Sequence, residues 1–267
     1  MNLRVTAQVL LSYGIMILEV NVMPQFEPLE EKIEPLGGGF FAVTSKNHTF
    51  GTDAILLSDF AAPKAAKRLC DLCSGCGIIA VLWACEGGAR QIDAVEIQSD
   101  AVRLIEKSAE INGFSNIHPI NADLRALDSS YNDCYNLVAC NPPYKQAGTG
   151  GISRSTSARI ARHELACTLG DIIETSSRIL KGGGRLCLCH RPERLADIIC
   201  LMREKGIEPK RLRFVQQRVD TKPWLVLVEG KKGAKPGLLA EPALIVESDD
   251  GGYSSEMSAI YNKFQHE

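Results

Sequence analysis

The residues best suited to chemistry form a corner, NPPY, that directly follows the apolar stretch "VAC". The side-chain oxygen of Asn141 and the carbonyl of Pro142 can accept both N–H bonds of an exocyclic amine and so fix the direction of its lone pair. Such a nitrogen suits transfer of an alkyl group, with Tyr144 stacked on the planar group that carries it. Because prolines have fixed φ and cannot join a β-ladder, Pro142 and Pro143 end the strand in a rigid corner. The alternative is a structural turn with a buried tyrosine.

A second candidate is the turn in "LCDLCSGCGIIA", which fits two kinds of site. Cys70, Cys73 and Cys76 have the spacing of an iron–sulfur ligand run, but the fourth ligand would fall at Ala80. Downstream cysteines show no matching cluster. We therefore predict no metal site.

The same turn fits a nucleotide better. A strand ends in Asp71, and Gly75 and Gly77 let backbone N–H groups approach a ligand at the start of a helix. Glu96 ends the next strand, where an acidic residue binds ribose hydroxyls, and Asp123 ends the third, where it can meet an adenine amino group. The G-x-G-x-x-A pattern leaves a nicotinamide cofactor open, and both aspartates could simply cap turns. A carboxylate placed to bind a charged amine instead favours S-adenosylmethionine, which carries an aminocarboxylate and no pyrophosphate.

Elements that could position these residues alternate along the chain. The apolar patterns predict strands near residues 68–72, 91–97, 116–121, 135–140 and 183–190 and helices near 78–85, 99–113 and 164–180. Residues 208–217 and 223–233 predict a terminal antiparallel hairpin, because no helix joins them. The prediction is an α/β fold with a mostly parallel, seven-stranded sheet and helices on both faces.

The order of the turn, Glu96, Asp123 and the NPPY corner resembles the class I S-adenosylmethionine-dependent methyltransferases that modify planar nitrogens. "FGTDAILLSDFA", "ARHE" and "LVEGKKGAKPGL" are similar to stretches of the bacterial tRNA (adenine-N6)-methyltransferases that act beside the anticodon of a valine tRNA. This resemblance covers roughly residues 37–261 and implies a Rossmann-like fold, S-adenosylmethionine as cofactor and tRNA as partner. One departure is Cys73, where many members of the wider superfamily have glycine.

Three sets of site residues follow. The predicted catalytic residues are Asn141, Pro142 and Tyr144. The predicted cofactor-binding residues are Thr52, Asp71, Gly75, Gly77, Glu96, Ile97, Asp123 and Asn141. The predicted substrate-binding residues are Pro143, Tyr144, Arg154, Arg159, Arg162, Lys231, Lys232 and Lys235.

The basic residues of the last set lie in two segments. Residues 145–163 contain no acid and are rich in Gly and Ser, so they can close over a phosphate backbone, and the lysines form a second cluster at a strand end. We expect both segments to flank one site, although either could be ordinary solvated surface.

Other functions remain open at this point. Methylation of a glutamine amide in a protein release factor uses the same corner, but those enzymes usually carry an N-terminal helical domain. Adenine in DNA or rRNA is another target. A nucleotide-dependent oxidoreductase and an RNA-binding protein without catalysis are the alternatives from other classes.

Composition sets the remaining limits. A net charge of −2 excludes a globally basic nucleic-acid binder, so any RNA surface must be local. Ten cysteines without a secretory signal indicate reduced thiols in the cytoplasm. The apolar run at residues 9–22 is shorter than the ~20 residues of a membrane helix, so no membrane attachment is predicted. We expect an N-terminal extension at residues 1–35, a methyltransferase domain at 36–267 and a monomer.

Overall fold

The computed structural model describes residues 6–12, 15–21, 30–63, 67–142 and 167–263, the first two ranges as backbone only. The strands are β1 (Thr6–Ser12), β2 (Ile15–Asn21), β3 (Glu31–Gly37), β4 (Phe40–Ser45), β5 (Arg68–Leu72), β6 (Gln91–Glu96), β7 (Ile117–Asn121), β8 (Tyr135–Cys140), β9 (Leu180–His190), β10 (Ile207–Gln216), β11 (Leu225–Lys232), β12 (Leu239–Ala240) and β13 (Leu244–Ile245). The helices are α1 (Thr52–Ala61), α2 (Ile78–Cys85), α3 (Ser99–Asn112), α4 (Leu169–Ile179), α5 (Leu195–Glu204) and α6 (Ser255–Tyr261). None of these described helices is long and apolar enough to cross a membrane.

The central sheet has the strand order β12-β10-β11-β9-β8-β5-β6-β7, with β13 also beside β10. Strands β7, β6, β5, β8 and β9 are parallel, whereas β11 runs antiparallel to β9 and β10. The predicted seven-stranded, mostly parallel sheet and its terminal hairpin are therefore confirmed. Two short strands, β12 and β13, extend the sheet parallel to β10 beyond that prediction.

Alternating strand residues divide the core between the two faces of the sheet. Leu69 and Leu137 belong to the buried layer that includes α1, α2 and α3. Cys70 and Val138, one residue further along each strand, belong to the layer that includes α4 and α5. Strands covered on both faces are apolar at consecutive positions, which is why their sequence runs show little alternation of polarity. Helices on both faces are thus confirmed.

Helix ends follow local capping chemistry. Helix α3 ends before Gly113, whose φ of 68° is the left-handed conformation that glycine adopts without strain, as predicted. The stretch "GTDAILLSDF" predicts a helix capped by Thr52 or Asp53. Helix α1 instead begins after Gly51, so the cap lies one or two residues earlier than predicted. Helix α4 begins only at Leu169, after a capping box, so its predicted start at residue 164 is also wrong.

The hairpin of β3 and β4 is attached to α3 by polar contacts. The Asn112 side chain exchanges hydrogen bonds with the backbone of Phe41, and the Ser108 hydroxyl accepts the N–H of Val43 at 2.8 Å. The Lys107 ammonium lies 2.6 Å from the Glu31 carboxylate. The domain boundary expected between residues 35 and 36 falls inside β3. Further upstream, β1 and β2 form an antiparallel pair.

Candidate active site

The carboxyl ends of β5, β6, β7 and β8 surround a cavity of about 370 Å³. Strands β5 and β8 are neighbours, with Leu72 opposite Cys140, so the glycine turn and Asn141 leave the sheet side by side. The cavity wall includes the predicted residues Asp71, Gly75, Glu96, Ile97, Asp123, Asn141 and Pro142. The structure therefore brings the predicted cofactor turn and the corner to one place, where parallel α/β sheets bind ligands.

Asp71 places a buried carboxylate on the cavity wall. Its side chain is 1% exposed, and its Oδ2 accepts the Ser74 hydroxyl at 2.5 Å. Among the described residues, its Oδ1 has no hydrogen-bond partner. Burial raises the pKa of Asp71 to about 7, with a smaller contribution from the nearby Glu96 charge. An unsatisfied buried acceptor costs about 1–3 kcal/mol, so this oxygen is suited to a cationic donor in the cavity.

The two predicted glycines do different work. Gly75 has a φ of +57°, lines the cavity, and no heavy atom lies within 4 Å of where its Cβ would be. Gly77 does not line the cavity. With a φ of +82°, its Cβ would lie 2.8 Å from Cγ1 of Ile105, so glycine lets the start of α2 pack against α3. The structure thus gives Gly77 a packing role instead of the predicted ligand contact.

The Glu96 carboxylate braces the turn from the end of β6. One oxygen accepts the N–H of Gly75 and the other accepts the N–H of Gln98, both at 2.9 Å. The side chain is buried. Because a carboxylate has about four acceptor positions, two remain for the predicted ribose hydroxyls.

Asp123 lines the cavity but is already engaged. Its Oδ2 lies 2.6 Å from Nη2 of Arg125, and its Oδ1 accepts the backbone N–H of Arg125 at 2.9 Å. The hydrogen bonds from Arg125 lower the pKa of Asp123. Any adenine contact must therefore share this carboxylate with Arg125, a partner that the sequence prediction missed.

Thr52 was predicted to bind the cofactor, but its side chain contacts Tyr261 instead of the cavity. Its hydroxyl lies 3.0 Å from the Tyr261 hydroxyl, and it does not line the cavity. Its neighbours Phe50, Gly51 and Asp53 do. In this segment the cavity wall is thus formed by those neighbours and not by Thr52.

The described part of the NPPY corner consists of Asn141 and Pro142. Both line the cavity, and the buried Cys189 thiol donates to the Asn141 Oδ1 at 3.2 Å. The other predicted residues of the corner and of the following basic segment lie outside the described residues: Pro143, Tyr144, Arg154, Arg159 and Arg162.

Three thiols lie together beside the corner. The thiols of Cys73, Cys140 and Cys167 are close enough to shift one another's ionisation. The Cys140 thiol and burial raise the pKa of Cys73, and the Cys73 thiol and burial raise the pKa of Cys167. Both thiols are therefore protonated at neutral pH and poorly nucleophilic. In the part of the chain that the structure describes, no three metal-ligating side chains are grouped as a metal site.

A family model described as "Methyltransferase small domain" matches residues 41–196, which is more than half of the chain. The chain belongs to the methyltransferase small domain family. The match runs from β4 through the whole cavity to the start of α5. Membership of this family removes the nicotinamide alternative for the glycine turn.

Curated relatives within this methyltransferase group resemble the chain over most of its length. The tRNA1(Val) (adenine(37)-N6)-methyltransferase of Tolumonas auensis is 29% identical over 216 residues, covering 80% of this chain and 88% of the relative. The protein of the same description from Parabacteroides distasonis is also 29% identical, over 218 residues, covering 80% and 89%. This similarity agrees with the family resemblance seen in the sequence.

Solved methyltransferase structures share the fold. A protein from Agrobacterium tumefaciens described as a "predicted O-methyltransferase" superposes with a TM-score of 0.65 at 21% identity, covering 80% of this chain and 97% of that one. TYW2 of M. jannaschii, solved in complex with AdoMet, superposes with a TM-score of 0.54 at 14% identity, covering 79% and 89%. At these identities the likeness supports the class I fold alone.

The predicted lysine cluster lies away from the cavity of this methyltransferase domain. Lys231 pairs with Arg185 on β9, and the Lys232 ammonium bonds to Asp133 and to the carbonyl of Leu180, at the amino ends of β8 and β9. Lys235 follows on the exposed surface. Strand β8 separates that edge from Asn141, about 20 Å at ~3.3 Å per residue. The expectation that the lysines flank the site is wrong, because β11 runs antiparallel and ends at the opposite edge.

Several cavity residues escaped the sequence prediction. Phe50 and Gln98 line the cavity next to predicted positions, and Cys167 lines it from the residues just before α4. Cys189 reaches Asn141 from the adjacent strand. The sequence contained a signal only for Phe50 and Gln98, because these two residues flank recognisable motifs. Cys167 and Cys189 become neighbours of the corner only through the strand order.

The backbone conformation of Cys73 shows why many members of the wider superfamily have glycine at this position, and it leads to a prediction about stability. Its φ is 56°, in the left-handed region that costs a non-glycine residue about 1–2 kcal/mol. We expect Cys73→Gly to be more stable than Cys73→Ala by about 1 kcal/mol, because both lose the thiol but only glycine relieves the strain. This order is the reverse of that at ordinary positions, where the more flexible unfolded chain makes glycine the less stable choice.

The measurement for this prediction is urea unfolding of the two variants beside the unsubstituted protein. A matched pair at the buried Cys187, on β9, gives the ordinary order with alanine more stable. If alanine is also the more stable residue at position 73, the turn carries no strain.

Proposed function

We propose that the protein transfers a methyl group from S-adenosylmethionine to the N6 nitrogen of an adenine in tRNA, beside the anticodon of a valine tRNA. The observation that carries the proposal is the single cavity that joins Asp71, Gly75 and Glu96 to Asn141. The family of the chain and the activities named for its curated relatives support the same activity.

The described residues fit S-adenosylmethionine. The buried Oδ1 of Asp71 offers a bare acceptor for the ammonium group. Gly75 leaves space beside the backbone, and Glu96 retains acceptor positions for two ribose hydroxyls. When bound, the cofactor supplies an electrophilic methyl group on a sulfonium sulfur.

The chain's own residues then orient the adenine. The Asn141 Oδ1 accepts one N–H of the amino group, and the Pro142 carbonyl accepts the other. Two acceptors at fixed positions pull the hydrogens out of the line of attack and direct the nitrogen lone pair into the cavity. Tyr144 would stack on the base. No side chain needs to act as a strong base, because the amine becomes acidic once it carries the methyl group.

The decisive experiment uses S-adenosylmethionine labelled in the methyl group. The purified protein is mixed separately with tRNA, rRNA, DNA and a peptide-chain release factor, each taken from a strain that lacks the gene. We expect label only in tRNA, recovered after digestion as N6-methyladenosine next to the anticodon. Label in the release factor would replace the proposal with glutamine methylation, and label in rRNA or DNA would change the substrate.

The lysine cluster gives a prediction about the tRNA body. Lys231 is level with Leu137, two strands away and four residues before Asn141, which is about 13 Å along the strand direction. We therefore propose that it contacts phosphates distant from the target base. We expect Lys231→Glu, alone and with Lys232→Glu, to weaken binding of full-length tRNA, with a salt slope smaller by about one per lost contact. An isolated anticodon stem–loop should bind the variants as it binds the unsubstituted protein.

The single Lys231→Glu variant is the cleaner of the two. Lys232 also bonds to Asp133, so its replacement disturbs an internal ion pair. Filter binding of both RNAs over a range of salt concentrations gives the slopes. An unchanged slope with full-length tRNA would mark the cluster as ordinary surface.

A further inference from the structure

A stacked pair of tyrosines lies beside the cavity. The rings of Tyr253 and Tyr261 are 5.2 Å apart between centroids and 9° from parallel. The Tyr261 hydroxyl lies 3.0 Å from that of Thr52, the first residue of α1. On either side of Thr52, Gly51 and Asp53 line the cavity. The pair is therefore attached to the cavity wall by one hydrogen bond.

The two rings differ in exposure. Tyr261 packs against the buried layer that contains α1, whereas Tyr253 is 54% exposed. An aromatic pair contributes to stability mainly through buried area, which the outer ring here supplies only in part. The outer ring therefore presents a large planar surface to solvent.

The backbone holds Tyr253 firmly. Tyr253 forms an antiparallel bridge with Glu247, and the following residue, Ser254, donates to the carbonyl of Val246 at 2.9 Å and caps α6. The hydroxyl of Ser248 closes the intervening turn through the carbonyl of Gly252. A ring that is already fixed loses little conformational freedom when a ligand stacks on it.

The charges around Tyr253 select the kind of ligand. Glu247, Asp249 and Asp250 lie in the same loop, and Arg218 of the loop after β10 lies 3.9 Å from Glu247. Phosphate groups are therefore disfavoured at this ring. A neutral planar group is not, because stacking on an aromatic face needs no opposite charge.

We propose that Tyr253 is a stacking platform for an unpaired nucleobase of the RNA substrate, next to the base that enters the cavity. This inference rests on the proposed function and adds a second base-binding position to it. Unpaired loop bases that splay onto aromatic side chains are the usual basis of RNA recognition outside helices.

The test compares Tyr253→Ala with Tyr253→Phe on an anticodon stem–loop. Stacking energies correspond to an affinity loss of roughly 5- to 150-fold for alanine, and phenylalanine, which keeps the ring, should rescue binding. KM for RNA should rise more than kcat falls, the affinity for S-adenosylmethionine should be kept, and the salt slope should be unchanged because no phosphate contact is lost. Phe41→Ala, on the surface of β4, is the matched control for loss of a partly exposed ring.

Abasic nucleotides in the loop identify the partner base. Removing one particular neighbouring base should weaken binding to the unsubstituted protein as much as Tyr253→Ala does, and should have no further effect on that variant. If every abasic position affects both proteins equally, or if Tyr253→Ala binds RNA normally, the platform is refuted while methylation stands. If the unsubstituted protein methylates no RNA, the proposed function fails and the platform fails with it.

Discussion

Asn141→Ala is expected to lower kcat for tRNA methylation by about 10²–10³, the usual cost of losing one group that positions or polarises the reacting atoms. Alanine removes the Oδ1 acceptor, so one N–H of the substrate amine loses its partner and the direction of the lone pair is no longer fixed. Affinity for S-adenosylmethionine should change by less than about threefold, because Asp71, Gly75 and Glu96 are untouched. Single-turnover kinetics with saturating RNA and calorimetric titration of the cofactor measure the two effects separately.

Two further variants show whether the oxygen itself acts. Asn141→Asp keeps the shape and an acceptor oxygen, so it should retain more activity than alanine. Cys189→Ser replaces the thiol that donates to this oxygen with another donor, and Cys189→Ala removes the donor. We expect serine to be the more active of that pair. An Asn141→Ala enzyme with near-normal kcat would remove this side chain from the mechanism.

Much of the fold follows from local patterns in the sequence. The turn residues and apolar runs place β5, α2 and β8 at their observed bounds, because each element is bounded by Gly, Pro or polar residues with clear conformational preferences. The start of α4 does not follow in this way. Helix-forming residues continue upstream of the capping box, and propensity alone cannot say which cap is used.

The site residues also differ in whether local sequence patterns could predict their positions. Asp71, Glu96 and Asn141 each end a strand, so the parallel arrangement alone brings them to one edge. The position of Lys231 depends instead on the direction of β11, which runs antiparallel to β9 and so carries this strand end away from the edge that holds Asn141. Partners made by strand order, such as Cys189 with Asn141, leave no mark in the local sequence.

Asp71→Asn is expected to weaken S-adenosylmethionine binding by at least ~30-fold, because removal of one partner from a buried charge pair costs about 2–5 kcal/mol. The unsubstituted protein should also bind more tightly as pH rises from 5.5 to 7, by about 15-fold, since only the ionised carboxylate attracts the ammonium group and the pKa of Asp71 in the free protein is about 7. The cofactor amine stays protonated over this range. The asparagine variant should show no such pH dependence by calorimetric titration.

The same carboxyl group predicts the opposite effect on the stability of the ligand-free protein. Burial raises its pKa from 3.8 in the unfolded chain to about 7, so the folded protein holds a proton that the unfolded chain releases. Stability from this group is complete below pH 3.8 and is lost as pH rises towards and through 7. Relative to the unsubstituted protein, Asp71→Asn should therefore gain about 1.4 kcal/mol between pH 6 and pH 8. Urea unfolding at the two pH values tests this. A constant difference would mean that Asp71 is already ionised in the free protein, and the pH-dependent cofactor affinity would then have another cause.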